Sequence, residues 1–167
     1  MANKSALPSD SAEVETQLAA FIDRFTPSIA AQLRACRTAL RARMPGAVEL
    51  VYDNYNALAI GFGADEKLSG VICSLATYPR CVLLYFLNGK RLADPDGLLQ
   101  GSGNQGRFIR LAGAGAETLD EPGVAALLDA AIADGARPLP PAGHGRTVIK
   151  SVSARQRPRR PAEQESA

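Results

Sequence analysis

The chain has 167 residues, the length of one domain, with a formal charge of +2 at pH 7. Apolar residues at 46% and charged residues at 22% match a folded globular chain and exclude one disordered throughout. No apolar run approaches the roughly 20 residues needed to cross a bilayer, and Met1-Ala2-Asn3-Lys4-Ser5 leads into polar residues without the apolar core of a leader. The expectation is a cytoplasmic protein with no membrane segment.

Residues 1–8 are expected to be a flexible N-terminus. Asp10-Ser11-Ala12-Glu13 has an N-cap with an acid three residues on, and Val14, Leu18, Phe21, Ile22 and Phe25 follow on one helical face. Thr26-Pro27 stops that helix and starts a second, with Thr26 able to cap. Its apolar face is Ile29, Leu33, Cys36, Leu40 and Met44, and Arg34, Arg37 and Arg41 share a side that reads as solvated. Pro45-Gly46 ends it.

The period then changes to two. Val48, Leu50 and Tyr52 alternate with Glu49, Val51 and Asp53, which predicts a strand. Leu58, Ile60 and Phe62 predict a second strand, and Val71, Cys73 and Leu75 a third. The run from Cys81 to Leu87 is apolar at both parities and predicts either a central strand covered on both sides or one with helices on one face and something else on the other. Asn88-Gly89 is a turn, and Arg107-Phe108-Ile109-Arg110-Leu111 a fifth strand, with at least one arginine facing solvent or a ligand. Asp120-Glu121-Pro122 opens a last helix that buries Val124, Leu127, Leu128, Ala131 and Ile132.

Two N-terminal helices, about five strands with short connections and a C-terminal helix packed on the sheet define an α+β fold with a mostly antiparallel sheet. The domain is expected to span residues 9–135. Residues 136–167, with five prolines, are expected to form a disordered basic tail, Thr147-Val148-Ile149 being its one extended segment. Charge divides the same way: residues 1–134 hold 12 basic and 15 acidic side chains, residues 135–167 hold 7 and 2.

No catalytic set stands out. Cys36, Cys73 and Cys81 are widely spaced within apolar patterns, as buried thiols are, and the sole histidine, His144, lies in a Pro/Gly-rich stretch. Gly101-Ser102-Gly103-Asn104-Gln105-Gly106 matches GxGxxG, but a strand follows it where a dinucleotide site needs a helix, so it reads as a turn. Asp94-Pro95-Asp96-Gly97 reads as an Asp-capped turn before Leu98-Leu99, which should tuck into the core as a short helical turn.

Tyr52-Asp53-Asn54-Tyr55-Asn56 is either a hairpin whose Asn and Asp side chains satisfy the backbone or a polar pocket at a sheet end. The candidate ligand-binding residues are Tyr52, Asp53, Tyr55, Asp94, Arg107 and Arg110. Lys150, Arg155, Arg157, Arg159 and Arg160 are candidates for contact with a nucleic acid or an acidic partner, which would be salt-sensitive and independent of sequence.

The stretches Val48–Tyr55, Tyr85–Gly89, Leu92–Gly103 and Arg107–Leu111 resemble the YdhG-like family of small bacterial domains of unknown function. The resemblance covers residues 12–134 and is most specific from Asp94 to Leu111. It implies a compact α+β domain with helices on an antiparallel sheet. One member of that family is regarded as a frataxin-like iron chaperone, a role that depends on acidic groups near the first helix and the sheet edge. The resemblance therefore implies Glu13, Glu15, Glu49 and Asp53 as the carboxylates of an alternative iron-carrying role. The leading expectation is a non-enzymatic domain that binds a ligand or partner and needs no cofactor.

Overall fold

The computed structural model describes residues 11–162. Helix α1 (Ser11–Asp23) is followed by α2 (Pro27–Arg43), then β1 (Val48–Asp53), β2 (Leu58–Gly63), β3 (Val71–Tyr78), β4 (Cys81–Phe86), β5 (Arg107–Arg110), α3 (Pro122–Ala133) and β6 (Thr147–Val152). The fold is α+β, with helices packed on one face of a single sheet. The flexible segment 1–8 and the N-cap expected at Asp10 lie outside the described residues.

The sheet has the order β5-β4-β3-β2-β1-β6. Strands β1 to β5 form an antiparallel meander, as the short connections between β1 and β4 require; residues 87–106 lead from β4 to β5 in a long loop. The chain then returns through α3 to the far edge, where β6 lies parallel to β1, pairing Leu50 with Val148 and Val51 with Ile149. Here the structure corrects the domain boundary at 135: residues 136–162 belong to the fold. Only three consecutive residues, Thr147-Val148-Ile149, signal this strand, too few for a periodicity. Ile149 nonetheless enters the main core at 2% exposure.

The main core lies between the helices and one sheet face. Leu18, Phe25, Leu33, Leu40 and Met44 of the helical layer meet Val51, Leu58, Ile60, Phe62, Leu75, Leu84 and Phe86. Thr26 enters α2 with its carbonyl, which accepts from the Ala30 N–H at 2.9 Å, and makes no side-chain cap. Leu98 and Leu99 pack on the core as expected, but as an extended turn: both backbone N–H groups donate to the Asp94 carboxylate at 2.9 Å. Gly97, at φ +64°, makes this turn possible.

Strand β4 departs from expectation. Val82, Leu84 and Phe86 are buried under the helices, while Cys81, Leu83 and Tyr85 on its other face are only half-buried. Among the described residues no helix covers that second face, so an apolar strand contributes side chains to an open surface. A smaller cluster of Val48, Leu50 and Val71, joined by Tyr52, Leu87 and Val148, lies there.

Because β6 supplies core side chains and the outer partner of β1, ending the chain at Gly145 should abolish the single cooperative thermal transition followed by circular dichroism. A truncated chain melting at the temperature of the full one would contradict this account of the fold.

Candidate functional site

The open sheet face carries a groove that follows from the strand register. Ala59 pairs with Ala76 and Gly61 with Ser74 across β2 and β3. Four adjacent positions therefore lack bulk in the middle of the sheet, and the surface sinks there. Around this floor stand Tyr52, Tyr55, Tyr78 and Tyr85, which are all four tyrosines of the chain. Leu68, Val71 and Leu87 close the end nearest the β2–β3 connection, and Asn54, Asn56 and Ser153 add polar groups at the other. The depression has a volume of about 740 Å³ and, among the described residues, no charged side chain in its lining. That is the size and character of a small-molecule site: largely apolar and aromatic, with a few polar groups for orientation.

Among the described residues, two of the three large apolar side chains most exposed to water, Tyr55 at 46% and Leu68 at 57%, sit on the lips of this groove. Such concentrated exposure marks a binding surface more than scattered apolar residues do. Burial raises the pKa of Tyr52, so its hydroxyl stays protonated and able to donate. Tyr85 stands against Gly106, where a Cβ would lie 1.7 Å from the tyrosine hydroxyl. Thus the last glycine of the GxGxxG match makes room for a groove tyrosine, and no helix follows for a phosphate to meet.

Behind the groove, Asp53 points to the opposite face and is sealed. Arg159 Nη2 donates to its Oδ1 at 2.8 Å and to the Asn54 carbonyl at 2.5 Å, and both side chains are 1% exposed. The guanidinium lies 5.8 Å from the Phe25 ring centroid. Arg24 approaches the other carboxylate oxygen at 3.4 Å. The backbone joins in: the Ser153 N–H and Gln156 Nε2 donate to the Asp53 carbonyl, and the Arg157 N–H to the Tyr55 carbonyl. Residues 153–160 are therefore strapped across the end of β1. Arg160 donates to the Arg24 carbonyl at 3.2 Å, which ties the strap to the end of α1.

A second ion-pair cluster joins α1, α2, β1 and β6. Arg37 Nε donates to Glu49 at 2.7 Å, and its Nη1 and Nη2 donate to Glu15 at 2.9 and 2.7 Å. Arg41 approaches Glu49 at 3.3 Å, and Thr147 Oγ1 donates to it at 3.0 Å. The solvated basic face expected for α2 is thus turned inward at Arg37, whose side chain is 12% exposed. Burial opposes the charge on Arg37, but its bonds to Glu15 and Glu49 outweigh this and raise its pKa. The Arg37 guanidinium in turn holds the Glu15 carboxyl below its ordinary value of 4.5.

The residues singled out from sequence separate accordingly. Tyr52 and Tyr55 reach the groove, whereas Asp53 belongs to the strap. Asp94 caps its turn. Arg107 donates to the carbonyls of Gly103 and Gly106 at the sheet edge, and Arg110 is exposed on the same edge strand. The carboxylates expected for iron are not gathered: Glu15 and Glu49 share Arg37, Asp53 lies at the far end of β1 under Arg159, and Glu13 is exposed on α1. Among the described residues no three His, Cys, Asp or Glu side chains come together to hold a metal ion. Nor do the basic residues of the tail make one patch. Lys150 and Arg155 are exposed, Arg157 lies over the Tyr55 ring at 5.5 Å, Arg160 is tied to α1 and Arg159 is buried. Burial pushes Cys36 to about 11 and Cys73 to about 12, which leaves both thiols unreactive at neutral pH. No helix among the described residues is long and apolar enough to cross a membrane.

The residues missed from sequence are Tyr78, Tyr85 and the small floor side chains. Their signal was parity: Tyr52, Tyr78 and Tyr85 fall out of phase with the inward residues of their own strands. No known protein family, curated protein or solved structure matches this chain.

Arg159→Ala would leave Asp53 buried without its partner and should lower unfolding free energy by about 3–5 kcal/mol in urea titrations. Glu15 should show a specific pH dependence. Its native pKa is lowered, so its contribution is complete above pH 4.5 and is lost as pH falls through the depressed value. The stability difference between the native chain and Glu15→Gln should accordingly shrink on acidification below pH 4.5.

Proposed function

We propose that this protein is a binding protein whose ligand is a small, largely apolar organic molecule held in the tyrosine-lined groove. The observation that carries this reading is the convergence of all four tyrosines around a floor of paired small residues on an otherwise uncovered sheet face. Tyrosine suits such a site, because its ring offers a large rigid apolar surface with few torsions and its hydroxyl gives direction by hydrogen bonding. The floor admits a flat or chain-like molecule against the backbone, and the groove needs no rearrangement to receive it. Turnover is not part of the reading, since the described groove lining holds no acid, histidine or cysteine.

The test is titration of the full-length protein with the neutral fluorophore N-phenyl-1-naphthylamine. Emission should rise and saturate. Ala76→Leu, which puts a branched side chain onto the half-buried floor, should weaken this binding at least about tenfold, roughly 1.4 kcal/mol, with the melting temperature kept. A native protein that leaves the fluorophore unaffected, or a variant that binds it equally, would refute the assignment.

A further inference from the structure

We infer that the groove is built for an amphipathic carboxylate, whose apolar body lies along the tyrosines and whose carboxylate meets Arg80 and Arg157. This rests on the groove being a ligand site, and adds the chemical class of the ligand.

A second depression, of about 820 Å³, adjoins the first at the end bearing the β1–β2 and β3–β4 turns, and both are lined by Asn56 and Tyr78. Its walls are the β3–β4 turn and the C-terminal strap, and its charged side chains are Arg80, Arg157 and Arg160. Among the described residues no acid lines it. Elsewhere on the molecule most arginines face carboxylates, as Arg37 faces Glu15 and Glu49, Arg137 faces Asp65 and Arg159 faces Asp53. Arg80 and Arg157 have no such partner among the described residues. Arg160 is already engaged with backbone carbonyls, which leaves those two guanidiniums for a ligand.

Arg157 is also positioned. Its backbone N–H is bonded to the Tyr55 carbonyl at 2.8 Å, and its guanidinium lies 5.5 Å from the centroid of the Tyr55 ring, one lip of the groove. Stacking on an aromatic face leaves the edge donors of a guanidinium free for a carboxylate. The groove is uncharged and ends at Leu68 on its far side. A positive charge confined to one end of an apolar trough selects a molecule with one anionic head, and fixes the direction in which it lies. Both guanidiniums are exposed, so the attraction is screened by salt.

The experiment displaces N-phenyl-1-naphthylamine from the full-length protein with decanoate, decan-1-ol or decylamine at pH 7. Decanoate should displace it at a concentration about tenfold or more below that of decan-1-ol at low ionic strength, with decylamine the weakest, and added salt should narrow the gap. An Arg80→Gln, Arg157→Gln double variant should bring decanoate to the level of the alcohol, both read as displacement against that variant's own fluorophore affinity. Arg157→Lys, which keeps the charge, should keep most of the preference. If the fluorophore binds but decanoate is no better than the alcohol, or keeps its advantage in the double variant, the carboxylate inference fails and the groove survives. If the fluorophore does not bind the native protein, both fail together.

Discussion

A carboxylate removed from water must find a positive charge, and in this protein that requirement ties the end of the chain to its first strand. Asp53 is on the helix-facing side of β1, where its neighbours at the same parity are Glu49 and Val51. Its partner, Arg159, comes from 106 residues away and is as deeply buried. The pair draws residues 153–160 across the end of the sheet, and several other features follow from that path: the continuation of β6 beside β1, the link to α1 through Arg160 and the seat of Arg157 on Tyr55. A buried pair of this kind is weak evidence for net stability, because desolvation offsets much of the attraction. Its clearer consequence is specificity of chain path, since the strap lies where Arg159 meets Asp53.

The second organising fact is that the sheet is covered on one face only. All three helices lie on the same side, and the chain passes from β5 to β6 through α3 without supplying a layer for the other. A half-covered antiparallel sheet usually alternates apolar and polar residues. Here the open side carries tyrosines, Leu87, Val148 and a patch of Ala, Gly and Ser. That surface is poorly matched to water and no helix of the described residues packs on it, and it is why the groove stands out as a place for a ligand. The glycine-rich loop before β5 belongs to the same design, because Gly106 leaves the space that Tyr85 fills.

Much of this was legible from residue order. The helical stripes at Val14–Phe25 and Ile29–Met44 name the side chains that enter the core, and the period-two runs name inward residues of β2 (Leu58, Ile60, Phe62) and β3 (Cys73, Leu75), whereas the run Val48, Leu50 and Tyr52 of β1 lies on the open face. Where the reading failed, the local signal was silent or shared by two explanations. Thr147–Val152 was too short and too close to prolines to show a period. The apolar run in β4 fits a strand buried on both faces and equally one that lines a cavity. Arg159 is indistinguishable by composition from Arg155 or Arg160, although one is buried and the others are exposed. Arg37 looked solvated because a helical wheel records spacing and not what stands opposite.

Sequence by itself determined the fold class, the extent of most elements and the inward side of β2, because those follow from interactions between residues a few positions apart. Glu49 and Asp53 gave no sign in the sequence that they face inward, where each must be paired. Tertiary structure alone decided which arginines pair them, that a parallel sixth strand closes the sheet edge, and that four tyrosines from three strands and a turn surround one floor. These are contacts between segments distant in the chain, set by register and by where the strap returns, and no local pattern encodes them.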